Sequence, residues 1–259
     1  PFPRVAPPYR RGIEPQDRNR ERNMASNVQL ATETGSAESP ALANNVETLA
    51  HVAQILAHGP EWFRELGTEA SPGTFVATVS GDTARAGVGE FPMGVTLQAV
   101  IDDLGGPPKE QHRYVAAVSG TANAMVPADR FDTPVTYEDM RTIGSGMGSA
   151  GFLVFDERTD LVAVAAGIAH FLAVESCGQC EPCKSDGATI STHLDTILAN
   201  DGSPRTLAAL SSLSKTVSNG ARCGLGRQQE DVTAGALRLL QPELREHVEG
   251  RRPKVQRVL

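Results

Sequence analysis

Four cysteines, and only four, occur in this chain: Cys177, Cys180, Cys183 and Cys223. Three form the run Cys177-Gly178-Gln179-Cys180-Glu181-Pro182-Cys183, a C-x2-C-x2-C. The fourth lies about forty residues further on, in Gly220-Ala221-Arg222-Cys223-Gly224-Leu225-Gly226. This pattern constrains the fold, because a remote segment must return to the run for the thiols to act together. A 4Fe–4S cubane takes one thiolate per iron, so the set closes on one cluster with no cysteine left over. Zinc also accepts four thiolates, but usually from two C-x2-C pairs. Disulfide scaffolds belong to short, cysteine-rich secreted chains. A thioredoxin-type C-x-x-C would leave two cysteines unexplained. The cluster fits the set best, with zinc as its main competitor.

The flanking residues agree. Gly178 and Gly187 are expected to permit turns and close approach of amides to sulfur, and Pro182 to stiffen the loop. Gly220, Gly224 and Gly226 serve the fourth ligand in the same way. Lys184 and Arg222 each adjoin a ligand and are expected either to stabilise a more negative reduced cluster or to be ordinary surface charge.

The chain has 259 residues, enough for one large domain or two to three small ones. Apolar residues make up 40% of it, sufficient for a core. A net charge of −7 and a pI near 5.4 argue against a nucleic-acid partner. No stretch reaches the roughly 18–20 apolar residues of a membrane span; the best run, Leu161 to Ala169, is ended by His170 and Glu175 and reads as a buried helix. An oxygen-sensitive cluster and sparse cysteine use point to a reducing, cytoplasmic setting. The opening Pro1-Phe2-Pro3 lacks an initiator methionine, so the chain is expected to be a piece of something longer. Residues 10–40 read as an irregular surface loop, and the acidic Glu14, Asp17 and Glu21 argue against a targeting peptide.

Periodicity orders the rest. Val46, Leu49, Ala50, Ala53 and Leu56 recur at helical spacing, and the helix is broken at Gly59-Pro60, resumes over 61–66 and ends at Gly67. Trp62, the only tryptophan, is expected in the core. Strands are expected at 75–81, after the turn at 87–91, and at 114–120, with a helix over 96–104 capped by Thr96. Strand–strand–helix–strand suggests a small β-grasp-like module. A further strand is expected at 151–156. Helices over about 159–174, 188–199, 205–218 and 231–248 make a bundle. The cysteine run falls between the first two and Cys223 between the last two, so one end of the bundle can gather all four sulfurs. The six histidines (51, 58, 112, 170, 193 and 247) form no catalytic group and are expected to be structural.

At this point a resemblance emerges. Glu175-Ser176-Cys177-Gly178-Gln179-Cys180, Pro182-Cys183 and Cys223-Gly224-Leu225-Gly226 resemble the NADH-binding flavoprotein subunit of respiratory complex I and the related diaphorase subunits of NAD-dependent hydrogenases and formate dehydrogenases. Three more segments agree in order: Asn44-Asn45-Val46-Glu47-Thr48-Leu49-Ala50, Ser71-Pro72-Gly73-Thr74 leading into Ser80-Gly81, and Gly144-Ser145-Gly146-Met147-Gly148-Ser149-Ala150-Gly151. The resemblance covers about residues 41–250 and the Pro1-Phe2-Pro3 opening.

What the resemblance implies is an α+β chain. Residues 1–71 would be the C-terminal remnant of an FMN- and NADH-binding domain with an insertion at 10–40. Residues 72–132 would be a β-grasp, soluble-ligand-binding domain, and 133–259 an iron–sulfur helical bundle. Electrons would pass from NADH to FMN, then to a 4Fe–4S cluster on Cys177, Cys180, Cys183 and Cys223, and on to other redox subunits of a multisubunit complex. Asn44, Asn45 and Thr48 match the family's FMN-contacting segment, although capping alone also explains an asparagine there. No catalytic acid or base is implied. The glycine-rich flavin segment of the family is not found here. Glu181 replaces a usual threonine, Lys184-Ser185-Asp186-Gly187 a usual Arg-Glu-Gly, and Arg227 a common aspartate, which together suggest a divergent paralogue. The alternative reading is a docking or assembly module with a structural cluster or zinc.

Overall fold

The computed structural model describes residues 44–109, 112–120 and 122–258. The expectations for residues 1–43, including the loop at 10–40, lie outside the described residues.

Helix α1 (Val46–His58) begins at Asn45, whose side chain accepts from the Glu47 N–H. Gly59 ends it at φ 89°, and Pro60 opens the short α2 (Pro60–Arg64). No residue of α1 is buried: Val46 and Leu56 are 80% and 82% exposed. Trp62, expected in the core, is instead 40% exposed and stacks at a tilt on His58. A lone tryptophan signals apolar area, and nothing in local sequence says which element covers it.

Strands β1 (Thr74–Gly81), β2 (Gly87–Pro92), β3 (Tyr114–Ser119), β4 (Val126–Pro127) and β5 (Gly151–Asp156) form one sheet in the order β2-β1-β5-β3-β4. Phe75, Ala77 and Val79 point inward with the two-residue period of a strand. Helix α3 (Leu97–Leu104), capped by Thr96, buries Leu97, Val100, Ile101 and Leu104 against them. The sheet draws on both sides of the boundary expected at 132–133. β5 pairs in parallel with β1 and antiparallel with β3, so its partners come from far upstream. A strand can be read locally, whereas its place in a sheet is decided by non-local pairing. The short α4 (Tyr137–Thr142) lies between β4 and β5.

The bundle comprises α5 (Leu161–Glu175), α6 (Glu181–Leu198), α7 (Pro204–Leu213), α8 (Leu225–Leu239) and α9 (Gln241–Val248). In α5 every residue from Val162 to Ala169 is buried, as expected of a helix apolar on all sides. Its alanines let α6 and α8 approach closely. The helix expected over 231–248 is two helices, because Pro242 starts a new one at α9. Helix α6 starts earlier than expected, with Cys183 and Gly187 inside it; Gly187 is therefore a helical packing position, with Ala173 opposite, and not a turn. Sheet and bundle share a core of Val118 and Phe155 with Val164, Ile168, Leu172 and Val232. Among the described residues, no helix is long and apolar enough to cross a membrane.

Candidate iron–sulfur site

The end of α5, the start of α6 and the start of α8 meet at one cavity of about 80 Å³. Its walls include Cys177, Cys180, Cys183 and Cys223, together with Ser176, Arg222, Leu225 and Gly226. All four thiols are free of disulfides; Cys183 is buried, Cys180 half-buried, and Cys177 and Cys223 exposed. The cavity therefore runs from the bundle interior to the surface.

Local chemistry sets each thiol. Ser176 ends α5 and projects Cys177 out of the helix. Gly178 takes φ 80°, a left-handed turn that bends the run back toward α6. Cys180 is the residue before α6, and Cys183 lies in its first turn behind Pro182. Gly220 takes φ 65° in the loop before Cys223. Neither α6 nor α8 is capped by a side chain. Their positive ends and first-turn N–H groups therefore adjoin the cavity, where they favour thiolates and an anionic cluster.

Hydrogen bonds fix the frame. The Arg222 backbone N–H donates to Cys180 Sγ at 3.4 Å, and the Arg222 guanidinium reaches the Gln179 side chain. Ser176 Oγ and Cys183 Sγ are 3.4 Å apart. Lys184 Nζ donates to the carbonyls of Ser176 at 3.1 Å and Ala173 at 3.4 Å, which places its charge at the negative end of α5. Burial pushes the Cys183 thiol up; the Ser176 hydroxyl opposes this, and the other three thiols add to it. A bound iron cluster would supply positive charge to offset the cost of burying the Cys183 thiolate.

The donor set fits the cluster. Tetrahedral zinc, with Zn–S near 2.3 Å, needs its sulfurs only about 3.8 Å apart. Among the described residues, no three His, Cys, Asp or Glu side chains gather tightly enough to grip one metal ion. Four thiols on the wall of one cavity supply one thiolate for each iron of a cubane.

A second cavity, of about 380 Å³, is lined by Asn45 and Thr48 of the first motif, Ser71 and Pro72 of the second, and Gly148 and Ser149 of the third. Three segments distant in sequence thus converge. Glu47 joins them to the sheet by accepting from the Val76 N–H at 2.6 Å. Asn44 is exposed and accepts from the Asn45 N–H. His51, packed edge-on against Phe63, also lines this cavity and has a buried, unpartnered Nε2. The sequence reading took His51 as structural and gave Ser176 only as part of the motif around Cys177. Of the six histidines, His247 bridges Asp160 and Asn200, and His170 meets Ser191.

Comparison with known proteins bears on both cavities. Residues 163–247 match the family model described as the NADH-ubiquinone oxidoreductase-F iron-sulfur binding region. Over 221 residues the chain is 33% identical to NADP-reducing hydrogenase subunit HndC of Solidesulfovibrio fructosivorans, spanning 85% of this chain and 45% of the relative. It is 33% identical to the F 2 subunit of NADH-quinone oxidoreductase of Rhizobium meliloti (strain 1021), over 83% of this chain and 51% of the relative. The chain thus spans about half the length of the curated relatives it matches. Among solved structures, an NAD+-reducing NiFe hydrogenase in the H2-reduced state superposes with a TM-score of 0.72 at 31% identity, over 81% of this chain and 35% of that one.

Proposed function

We infer that this chain, which carries the iron–sulfur binding region of the NADH-ubiquinone oxidoreductase-F family, is the electron-exit half of a flavin- and iron–sulfur-containing oxidoreductase. The observation that carries this reading is the convergence of Cys177, Cys180, Cys183 and Cys223 on one cavity beside two uncapped helix N-termini. The finer division into an N-terminal flavin-domain remnant, a β-grasp domain and a cluster bundle belongs to the same proposal, with β5 assigned to the sheet.

When bound, a 4Fe–4S cluster would supply one-electron transfer, and FMN would supply the link between hydride and single-electron chemistry. The buried Cys183, the half-buried Cys180 and the exposed Cys177 and Cys223 would hold the cluster. The exposed pair faces the direction from which a redox partner would approach. The Arg222 N–H and the positive ends of α6 and α8 stabilise negative charge at the sulfurs. Asn45 and Thr48, on the wall of the second cavity, are the residues we assign to the flavin side, together with Asn44, which accepts from the Asn45 N–H. The flavin- and NADH-binding segment would come from the part of the longer relatives that this chain does not span. No proton transfer is required of the protein, and a reducing cytoplasm suits the thiolates.

Anaerobic purification, iron and acid-labile sulfide assays and EPR of the reduced protein test the reading. Four irons and four sulfides per chain are expected, with a reduced-cluster EPR signal. A colourless protein holding one zinc and no sulfide would overturn it.

A further inference from the structure

The Ser176 hydroxyl meets a sulfur where a carbonyl would be the common partner. In α6, Ser185, Thr189, Thr192 and Thr196 each donate to the carbonyl four residues back, a frequent use of a hydroxyl on a helix. Ser176, at the end of α5, does not. Among the described residues its hydroxyl makes one hydrogen bond, to Cys183 Sγ at 3.4 Å.

This contact belongs to the thiol cavity, since Ser176 and Cys183 both line its wall. The two residues are 7% and 8% exposed, so bulk water competes little for either atom. The serine is also held from behind. It ends α5 at φ −61° and ψ 122°, and its carbonyl accepts from Lys184 Nζ at 3.1 Å. Lys184 follows Cys183 directly in the chain, so the neighbour of the sulfur grips the residue that carries the hydroxyl. Chemistry then decides which atom donates. Between a thiol and a hydroxyl, either can. A cysteine that ligates iron is a thiolate with no hydrogen, and the one proton left in the pair is on Oγ.

We propose that Ser176 Oγ–H donates to the Cys183 sulfur in the loaded protein, making Ser176 a positioning residue that raises the potential of the cluster without ligating iron. The proposal rests on the cluster reading above and gives a role to a side chain outside the four thiolates. A hydrogen bond at a ligand sulfur stabilises the more negative, reduced form more than the oxidised one. One electron is taken up and no proton moves: the hydroxyl keeps its hydrogen in both states.

The test compares the full chain with S176A, which deletes the hydroxyl, and S176T, which keeps it. Each is loaded anaerobically, and its midpoint potential is followed by EPR-monitored redox titration. Proton ENDOR of the reduced proteins in H2O and D2O then reads the exchangeable hydrogens coupled to the cluster. S176A is expected to keep the iron and sulfide content of the wild type, to show a more negative potential and to lose one exchangeable coupling. S176T is expected to keep both the potential and the coupling. A wild-type potential in S176A overturns the proposal, and so does an equal shift in both variants. Loss of iron and sulfide from S176A also overturns it, because Ser176 would then support assembly of the loop. If S176T does not load, the S176A coupling decides: its loss supports the proposal and its persistence overturns it. Absence of acid-labile sulfide from the wild type overturns the cluster reading itself, which separates that failure from failure of the serine's role alone.

Discussion

Arg222 donates its backbone N–H to Cys180 Sγ, joining the loop of the fourth cysteine to the three-cysteine run across 42 positions of sequence. The bond uses the backbone, so the arginine side chain is not needed to make it. R222A should therefore keep the cluster, with a stability change within about 0.5 kcal/mol, as for surface changes generally. C180S removes a thiolate and should lose most of the bound iron and sulfide. Metal and sulfide analysis of the two variants checks the contrast. Electron transfer retained at the wild-type rate in a C180S complex would instead favour a docking role.

The Ser80-Gly81 segment has a mechanical reason to be glycine. Gly81 ends β1 at φ 111°, and a Cβ there would collide with the backbone carbonyl of Val154 in β5. G81A should destabilise the sheet by about 2 kcal/mol or more, combining backbone strain with a clash at the β1–β5 pairing. Urea denaturation should show a lower midpoint with an unchanged slope.

Asp160 makes the bundle acid-sensitive. It caps α5 by accepting from the Val162 and Ala163 N–H groups, and it also meets His247 Nε2 at 2.9 Å and Arg252 Nη1 at 3.2 Å. His247 contacts Asn200 Oδ1 on its other side, and Arg252 also pairs with Glu246. Burial pushes the Asp160 carboxyl up, but the His247 bond, the Ala163 N–H and the Arg252 charge outweigh it, so the net shift is downward. A carboxylate depressed in the folded state contributes stability above its unfolded value, about 3.9, and loses it as pH falls through the lower folded value. Stability of the wild type should thus fall on acidification below about pH 4, and D160N should flatten that limb. At pH 7 D160A should cost about 2–4 kcal/mol, from a lost cap and from a buried His247 Nε2 that loses its Asp160 partner. Urea melts across pH check both points.

How much of this was legible beforehand depends on range. Thr96, Gly59-Pro60 and the apolar run from Leu161 announce their elements because caps, breakers and periodicity act within one turn. The four cysteines were legible as a set because their number matches the corners of a cubane. That they would share one cavity followed from the helix order alone. The place of β5 between β1 and β3 was not legible, since strand pairing is decided by contacts many residues apart. Nor was the depth of Cys183, because α6 begins before its own apolar periodicity does. The burial of Gln229 carries no signal in sequence: a glutamine on an amphipathic helix reads as a surface residue until burial is known.

The cluster cavity joins three helix ends, so its contents should decide local order more than global fold. Cys177 follows α5, Cys180 and Cys183 start α6, and Cys223 precedes α8. The sheet core of Phe75, Leu97, Ile101 and Phe152 lies in a separate apolar cluster. The lower bundle is held by its own cluster of Ile190, Ile197, Leu198 and Leu210. Stripping the iron leaves the thiols without a cation and removes the cross-link between helix ends, a loss of binding energy that would otherwise support folding. Hydrogen exchange on chelated protein should therefore show faster amides from Ser176 to Gly187 and from Gly220 to Gln229. Amides of β1, β3 and β5 should keep their protection. Equal loss of protection in the sheet would mean that the two cores fold as one cooperative unit, with the cluster as a global staple.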